Sequence, residues 1–162
     1  MKAFPGAVGI DVKPGAAVVA DLATADFARG KVWAVLVGCE AVIHLAANAD
    51  PAALAAVHLQ SVIVAARLFA ACAALKVPRV VAASSEWAEP KFAGLNAYGR
   101  SKRILEEMAA IYSDTPGQVA VALRVGWVPA DVAEVAEAPD WLALNYWDDG
   151  RLVAEFKAAL AR

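Results

Sequence analysis

The chain has 162 residues, of which 60% are hydrophobic and 20% charged, and its formal net charge is -2. This length suits one domain with a sizeable core, so we expect residues 1–162 to form a single domain, with a reduced substrate or cap region over 129–162. Neither positive nor negative residues cluster, so we expect no binding to nucleic acid or to a membrane surface. No stretch is both long and apolar enough to span a bilayer, and the N-terminus lacks the apolar run of a secretory signal. We therefore expect a cytoplasmic protein.

The predicted elements alternate between strands and helices along the chain. In order they are strand 7–12 (AVGIDV), strand 16–22 (AAVVADL), helix 25–38, strand 41–47 (AVIHLAA), helix 51–76, strand 79–85 (RVVAASS), helix 96–114, strand 119–128 and helix 147–162. The Lys-Pro-Gly between the first two strands fits either a hairpin or a tight return between parallel strands. Asp148 or Asp149 is the expected N-cap of the last helix. The alternation as a whole predicts an α/β fold with a parallel sheet and helices on its faces.

Polar residues follow several of these strands, and ligands of open α/β sheets bind at the carboxyl ends of the strands. The residues in question are Asp11, Asp21, His44, Asn48, Ser84, Ser85 and Gly126. An aspartate after a strand is often only a turn former, and a histidine in an apolar strand is most often a core residue. The two cysteines are far apart and the histidines do not cluster, so we predict no metal site.

Tyr98 and Lys102 are four residues apart on a predicted helix and therefore share one face. A free tyrosine has a pKa near ~10 and is a poor acid or base at neutral pH, but a neighbouring lysine stabilises its phenolate form. A serine hydroxyl from a strand end, such as that of Ser85, can hydrogen-bond the same substrate oxygen. The three groups together can pass a proton to or from an alcohol or carbonyl.

These motifs, read in order, resemble the short-chain dehydrogenase/reductases, in particular the extended branch of NAD-dependent sugar epimerases, dehydratases and uronate dehydrogenase-like enzymes. The resemblance covers about residues 8–128 and is carried by GIDV, VADL, AVIHLAANADP, PRVVAASS, YGRSK and LRVGWVP. It implies a three-layer Rossmann-like parallel sheet, truncated at the N-terminus, with NAD as cofactor. It also implies a homodimer through helices 51–76 and 96–114.

The resemblance implies a role for each matching position. Ser85, Tyr98 and Lys102 would be the catalytic residues, with Lys102 also a ribose ligand. The further cofactor contacts would be Asp11 on the adenosine ribose, Asp21 and Leu22 beside the adenine, Leu45, Ala46 and Ala47 beneath the cofactor, and Gly126, in the segment 126–129, over the nicotinamide. Ser84, Asn48 and Trp87 would lie toward the substrate.

The resemblance breaks at the N-terminus. The family begins with a strand, a GxxGxxG loop and a helix that bind the cofactor pyrophosphate, whereas here the segment resembling the second strand starts by residue 8. The second and fourth strands of the family order then keep unpaired edges, which could pair directly, be covered by N-terminal residues or be completed by a partner chain. The family's asparagine that supports the lysine through water is matched by Ser61. Because the C-terminal region is reduced, we expect a small substrate.

Three functions fit this pattern. The first is an NAD-linked oxidoreductase or epimerase that uses Ser85, Tyr98 and Lys102 on a small sugar-like alcohol or carbonyl. The second is a cofactor-independent lyase, isomerase or hydrolase that uses the same residues for acid/base or nucleophilic work. The third is a non-catalytic dimerising remnant. Glu106 and Glu107 are interpreted as a solvated helix face.

Overall fold

The computed structural model describes residues 3–93 and 96–162. Its strands are β1 (Ile10–Asp11), β2 (Val18–Val19), β3 (Ala41–His44), β4 (Arg79–Ser85) and β5 (Val119–Val125). Its helices are α1 (Gly30–Leu36), α2 (Ala55–Ala74), α3 (Pro90–Ala93), α4 (Ala97–Ser113), α5 (Glu134–Glu137), α6 (Asp140–Ala143) and α7 (Asp149–Ala161), with a 3-10 turn over Glu86–Ala88. The predicted alternation is confirmed, and several elements are shorter than predicted.

The strands form two parallel sheets, with orders β1-β2 and β3-β4-β5. Ile10 lies opposite Val18 and Asp11 opposite Val19 in parallel register, so the tight return is correct and the hairpin alternative is wrong. The prediction of parallel pairing with helices as crossovers is confirmed for the larger sheet.

Consecutive side chains of β4 enter cores on opposite faces of the larger sheet, as strand geometry requires. Val80 belongs to the core formed with α1, α2 and α4, which includes the fully buried Cys72. Val81 belongs to the other core, formed with Phe156 and Ala159 of α7. The sheet is therefore the middle of three layers, as predicted.

The gap expected at the N-terminus is visible in the sheet order. Residues 3–9 contain no strand in this structure, and β1 pairs with β2 but not with β3. Among the described residues, neither direct pairing nor an N-terminal strand completes the sheet. Completion by a partner chain stays a prediction.

Side-chain contacts from α2 hold the smaller sheet in place instead. Arg67 donates hydrogen bonds to the carbonyl oxygens of Leu22, Ala23 and Ala25, and its guanidinium lies 5.2 Å from the centre of the Phe27 ring. A planar guanidinium with several donors suits this multiple contact. The half-buried Arg67 thus links the β2–α1 connection to the main core.

The second helix is a core helix with a capped end. It begins after a turn at residues 50–53, in which the Asp50 carboxylate accepts a hydrogen bond from Ala52 N, and so starts four residues later than predicted. It ends with Lys76 in the left-handed region at φ 57°, where Val77 N donates to Cys72 O. By length and composition alone α2 is long and apolar enough to cross a membrane, so the expectation that no stretch meets this criterion is wrong. Core helices of soluble proteins also meet it.

The C-terminal segment returns to the end of β5. Trp127 N donates to Asn145 O at 2.7 Å, and Trp147 N donates to Trp127 O at 2.8 Å. Asp148 accepts from Arg151 N at 2.6 Å, which makes Asp148, one of the two candidates, the N-cap of α7. The helix then packs along the sheet, opposite α2 and α4.

Candidate functional site

Tyr98 and Lys102 lie in the first turns of α4, beside the carboxyl end of β4. Asn96 is the N-cap of this helix and accepts a hydrogen bond from Gly99 N at 2.8 Å. Lys102 is only 7% exposed; its Nζ donates to Ala83 O at 2.8 Å and lies 5.6 Å from the centre of the Tyr98 ring. The lysine is therefore held between the strand and the tyrosine.

Ser85 approaches the same place from β4. Its hydroxyl accepts a hydrogen bond from Trp87 N at 3.3 Å, which caps the 3-10 turn after the strand. The ring centres of Trp87 and Tyr98 are 6.4 Å apart, in an edge-to-face arrangement. The structure thus brings Trp87, Tyr98 and Lys102 into one cluster beside the end of β4, and Ser85 is joined to this cluster through the N–H group of Trp87.

Burial controls the charges of this cluster. It lowers the pKa of Lys102 to about 8. Burial also lowers the pKa of His44 to about 4, and the nearby positive charge of Lys102 adds to this effect. At neutral pH His44 is therefore uncharged, whereas Lys102 is a buried ammonium close to its titration range. A lysine tuned in this way is typical of proton-transfer sites.

A small cavity of about 20 Å³ is lined in part by His44, Ser61 and Lys102. It is large enough for roughly one water molecule. The Ser61 hydroxyl donates to Val57 O at 3.2 Å and accepts from Asn48 N at 3.3 Å. Ser61, which replaces the family's asparagine, therefore shares a one-water cavity with the catalytic candidate Lys102.

His58 also contacts the cluster, and sequence reasoning missed it. It is 1% exposed, and its ring centre is 5.5 Å from that of Tyr98 in an edge-to-face arrangement. Neither ring nitrogen has a hydrogen-bond partner among the described residues. The only sequence signal is a histidine on an otherwise apolar helix face, which alone is no evidence of function.

The candidate cofactor residues lie at the ends of the other strands. The exposed carboxylates of Asp11 and Asp21 accept hydrogen bonds from Lys13 N at 3.0 Å and Ala23 N at 2.8 Å, so both form local turns. Leu22 packs against the core. The residues after β3 are exposed, namely Leu45, Ala46 and Ala47.

Gly126 and two of the candidate substrate residues have structural contacts of their own. A Cβ on Gly126 would meet Asn145 O at 2.3 Å and the Trp147 ring at 2.5 Å, so the close return of the C-terminal segment requires glycine there. The Asn48 side chain accepts from Asp50 N at 2.8 Å. The Ser84 hydroxyl donates to Glu106 at 2.7 Å and is thereby held on the helix α4.

Glu106 was predicted to lie on a solvated helix face, and that prediction is wrong. Its carboxylate is hydrogen-bonded to Arg124 as well as to Ser84, whereas its neighbour Glu107 is exposed. The contact joins residues far apart in sequence and so could not be deduced from helical spacing.

The described residues fit an NAD molecule only in part. Lys102 and Tyr98 suit a nicotinamide ribose, and the exposed Asp11 carboxylate suits an adenosine ribose. A pyrophosphate needs successive backbone N–H groups at a glycine-rich turn that opens a helix. Within 3–93 and 96–162, the segment around Gly6 and Gly9 enters β1 with no such helix after it, so these residues provide no pyrophosphate cradle.

The arrangement defines a class of protein: a three-layer α/β domain with a tyrosine and a lysine one helical turn apart beside a serine-ended strand. The sequence profile of the NAD dependent epimerase/dehydratase family matches residues 12–128. The chain belongs to this family.

Solved structures support the same Rossmann-like fold. A structure described as mutated uronate dehydrogenase is 25% identical, with a TM-score of 0.56, over 71% of this chain and 46% of its own. A UDP-N-acetylglucosamine 4-epimerase from Bacillus cereus is 23% identical, with a TM-score of 0.59, over 74% and 44%. A UDP-galactose 4-epimerase is 25% identical, with a TM-score of 0.57, over 72% and 42%.

The chain spans less than half the length of each of these structures. No curated protein matches the chain by sequence.

Proposed function

We propose that this chain carries the proton-transfer residues of an NAD-linked oxidoreductase or epimerase that acts on an alcohol or carbonyl of a small sugar-like substrate. One observation carries the proposal: the ammonium of Lys102 is buried beside the Tyr98 ring, 2.8 Å from Ala83 O. A buried lysine beside a tyrosine at the carboxyl end of a strand is suited to acid/base chemistry.

In this proposal Tyr98 exchanges a proton with the reacting oxygen of the substrate. The positive charge of Lys102 stabilises the phenolate form of the tyrosine, and the hydroxyl of Ser85 donates a hydrogen bond to the same oxygen. Trp87 lies beside Tyr98, with their ring centres 6.4 Å apart. A bound NAD would supply hydride transfer at the adjacent carbon.

The family assignment and the neighbours support a sugar derivative as substrate. Uronate dehydrogenase and two sugar-nucleotide epimerases are among the similar structures. Within this class we propose a uronic acid or a simple sugar, because a uronate dehydrogenase is among the similar structures. In the same proposal the protein is cytoplasmic.

The first test is an NADH titration of the purified protein, followed by tryptophan quenching and by the emission of the cofactor. We expect saturable binding at micromolar levels and NAD reduction with uronic acids or simple sugars. Tyr98→Phe should retain binding and lose turnover by ~10²-fold or more, because the phenol oxygen moves the proton. Lys157→Met, on an exposed residue of α7, is the control and should keep full turnover. No binding up to millimolar NADH would refute NAD-linked chemistry for this chain.

The contact between Lys102 and Tyr98 also supports a second candidate, a cofactor-independent lyase or isomerase that uses the same residues. Proton abstraction next to a carbonyl needs an acid/base pair and an oxygen-binding hydroxyl, and Tyr98, Lys102 and Ser85 provide both. Turnover that survives complete removal of NAD and is lost in Tyr98→Phe would select this candidate. A Tyr98→Phe protein that is unchanged in every assay would instead favour the non-catalytic alternative.

We also propose that the chain forms a homodimer through α2 and α4. Both helices expose large apolar side chains: Leu54 (77%, immediately before α2), Leu59 (60%), Ile63 (49%), Ile104 (42%) and Ile111 (68%). Large apolar side chains exposed on two long helices are a feature of interfaces between identical chains. Analytical ultracentrifugation should show a dimer that Leu59→Glu converts to a monomer, whereas Trp141→Glu, at an exposed residue of the C-terminal segment, should leave the dimer intact.

A further inference from the structure

Four polar side chains form one network behind the candidate site, which we call the Glu106 network: Ser84, Glu89, Glu106 and Arg124. Ser84 Oγ donates to Glu106 Oε1 at 2.7 Å, and Arg124 donates to both carboxylate oxygens of Glu106, at 2.8 Å from Nε and 2.9 Å from Nη2. Arg124 Nη1 also contacts Glu89 Oε2 at 2.5 Å. A two-bond contact between a guanidinium and a carboxylate fixes the orientation of both groups.

The network joins the elements that carry the proton-transfer residues. Ser84 directly precedes Ser85 on β4, and Glu106 lies one helical turn after Lys102 on α4. Arg124 lies opposite Ser84 in the register of β4 and β5. A side chain at i+4 shares a face with the residue at i, so Glu106 continues the face of the helix that presents Lys102 to β4.

The single positive charge of Arg124 faces two carboxylates, those of Glu106 and Glu89. Burial acts to raise the pKa of Glu106, but the hydrogen bonds from Arg124 and Ser84 outweigh it, and the pKa lies below its ordinary value. The side chain of Glu106 is 24% exposed and that of Arg124 is 36% exposed, so the contact is partly shielded from solvent. The carboxylate therefore stays ionised and keeps both partners in place at neutral pH.

We propose that Glu106 and Arg124 are positioning residues, which hold the strand of Ser85 against the helix of Tyr98 and Lys102. In this proposal they do not touch the substrate. By fixing β4 against α4, they keep Lys102 buried and in contact with Ala83 O. The catalytic consequence rests on the proposed function, whereas the effect on Lys102 does not.

The test compares Glu106→Ala with Glu106→Gln, which keeps an oxygen acceptor for Ser84 and Arg124, and with Glu107→Ala as a matched control on the exposed neighbour. The titration of the Lys102 side chain is followed by NMR of its Cε–Nζ group in each variant. Glu106→Ala should loosen the helix from β4, admit water to Lys102, and raise its pKa from about 8 toward the ordinary value of 10.5. Removal of a negative charge without movement would shift the pKa of Lys102 downward, so the sign separates repositioning from a simple charge effect.

Turnover provides the second readout. If the proposed function holds, Glu106→Ala should lower kcat by on the order of 10²-fold with KM little changed, because a misplaced catalytic group slows the chemical step more than binding. Glu106→Gln should recover most of both effects, and Glu107→Ala should match wild type.

The outcomes are distinguishable. If wild type has no turnover but Glu106→Ala raises the pKa of Lys102, the positioning role is supported and only the proposed function is refuted. An unchanged or lowered pKa of Lys102 in folded Glu106→Ala would overturn the positioning role, whatever the activity. If Glu106→Ala does not fold, Ser84→Ala removes one bond of the network and is read by the same titration, with the same two outcomes.

Discussion

Replacement of Lys102 by methionine should make the protein more stable at neutral pH, and the gain should disappear in alkali. Methionine is unbranched and only one atom shorter than lysine, and it removes the buried charge. Burial lowers the pKa of Lys102 from 10.5 to about 8. Each unit of pKa is worth about 1.4 kcal/mol, so protonation of Lys102 in the folded state costs about 3 kcal/mol.

The sign of the pH dependence follows from proton linkage. Between pH 8 and pH 10.5 the unfolded chain binds the lysine proton more tightly than the folded protein does. Through this group, the free energy of unfolding of wild type therefore rises with pH across that window. Lys102→Met lacks this contribution. The difference in the free energy of unfolding between Lys102→Met and wild type should fall by about 3 kcal/mol from pH 7 to pH 11. A change in packing would alter this difference by the same amount at every pH, because packing does not titrate.

Urea unfolding at a series of pH values from 7 to 11 measures this difference. Cys72 and Tyr112, whose pKa values burial raises to about 12, are present in both proteins and cancel in the comparison. Lys157→Met, on an exposed residue of α7, is the matched control for the substitution. A stability difference for Lys102→Met that stays flat from pH 7 to pH 11 would mean that the amine is hydrated in the folded state, and the reasoning would fail.

Three further changes test other parts of the structure. Burial lowers the pKa of His44 from 6.5 to about 4 in the folded state, so wild type should lose about 3 kcal/mol of its free energy of unfolding through this group as the pH falls from 6.5 to 4. His44→Leu should abolish this loss, and parallel curves of urea stability against pH for the two proteins would contradict the prediction. Lys76→Gly should raise Tm by a few degrees, since Lys76 has a φ of 57° that glycine adopts without strain; a lower Tm would show that the lysine side chain stabilises the helix end. Tyr112→Phe should lower the free energy of unfolding by about 1–3 kcal/mol, because the Tyr112 hydroxyl donates a hydrogen bond to Val77 O in the core. Tyr146→Phe, on a half-buried ring, is the comparison and should cost less in thermal or urea unfolding. An equal cost would exclude the buried hydrogen bond as the cause.

Sequence patterns predicted the elements around the site well, because those elements are set by local signals. The strand over 79–85 has the predicted bounds, since an apolar run lies between Pro78 and the two serines. The helix that carries Tyr98 and Lys102 differs from the prediction by one residue at each end, because Asn96 is an N-cap. The shared face of Tyr98 and Lys102 follows from helical spacing alone.

The remaining features depend on contacts between residues distant in sequence. The first two strands are two residues long each, far shorter than the predicted apolar stretches, because β1 pairs on one edge only. The role of Glu106 required knowledge that Arg124 lies opposite Ser84 across the sheet. Sequence patterns led to no prediction about the arginine inside the apolar strand VAVALRV, although a half-buried charge needs a partner and this position could have indicated one.

The energetics of Lys102 bear on whether this domain is an enzyme or an inactive remnant. A penalty of about 3 kcal/mol is a large part of the ~5–15 kcal/mol by which a domain is typically stable. Burial causes that penalty, and it acts on an amine whose hydrogen-bond acceptor is Ala83 O. An apolar side chain at position 102 would fill the same space without it. A chain that served only as a dimerisation module would gain nothing from the buried charge, whereas a proton-transfer site requires a titratable group held in a fixed position beside Tyr98. If Lys102→Met proves more stable and equally functional, that argument is refuted and the remnant alternative gains its strongest support.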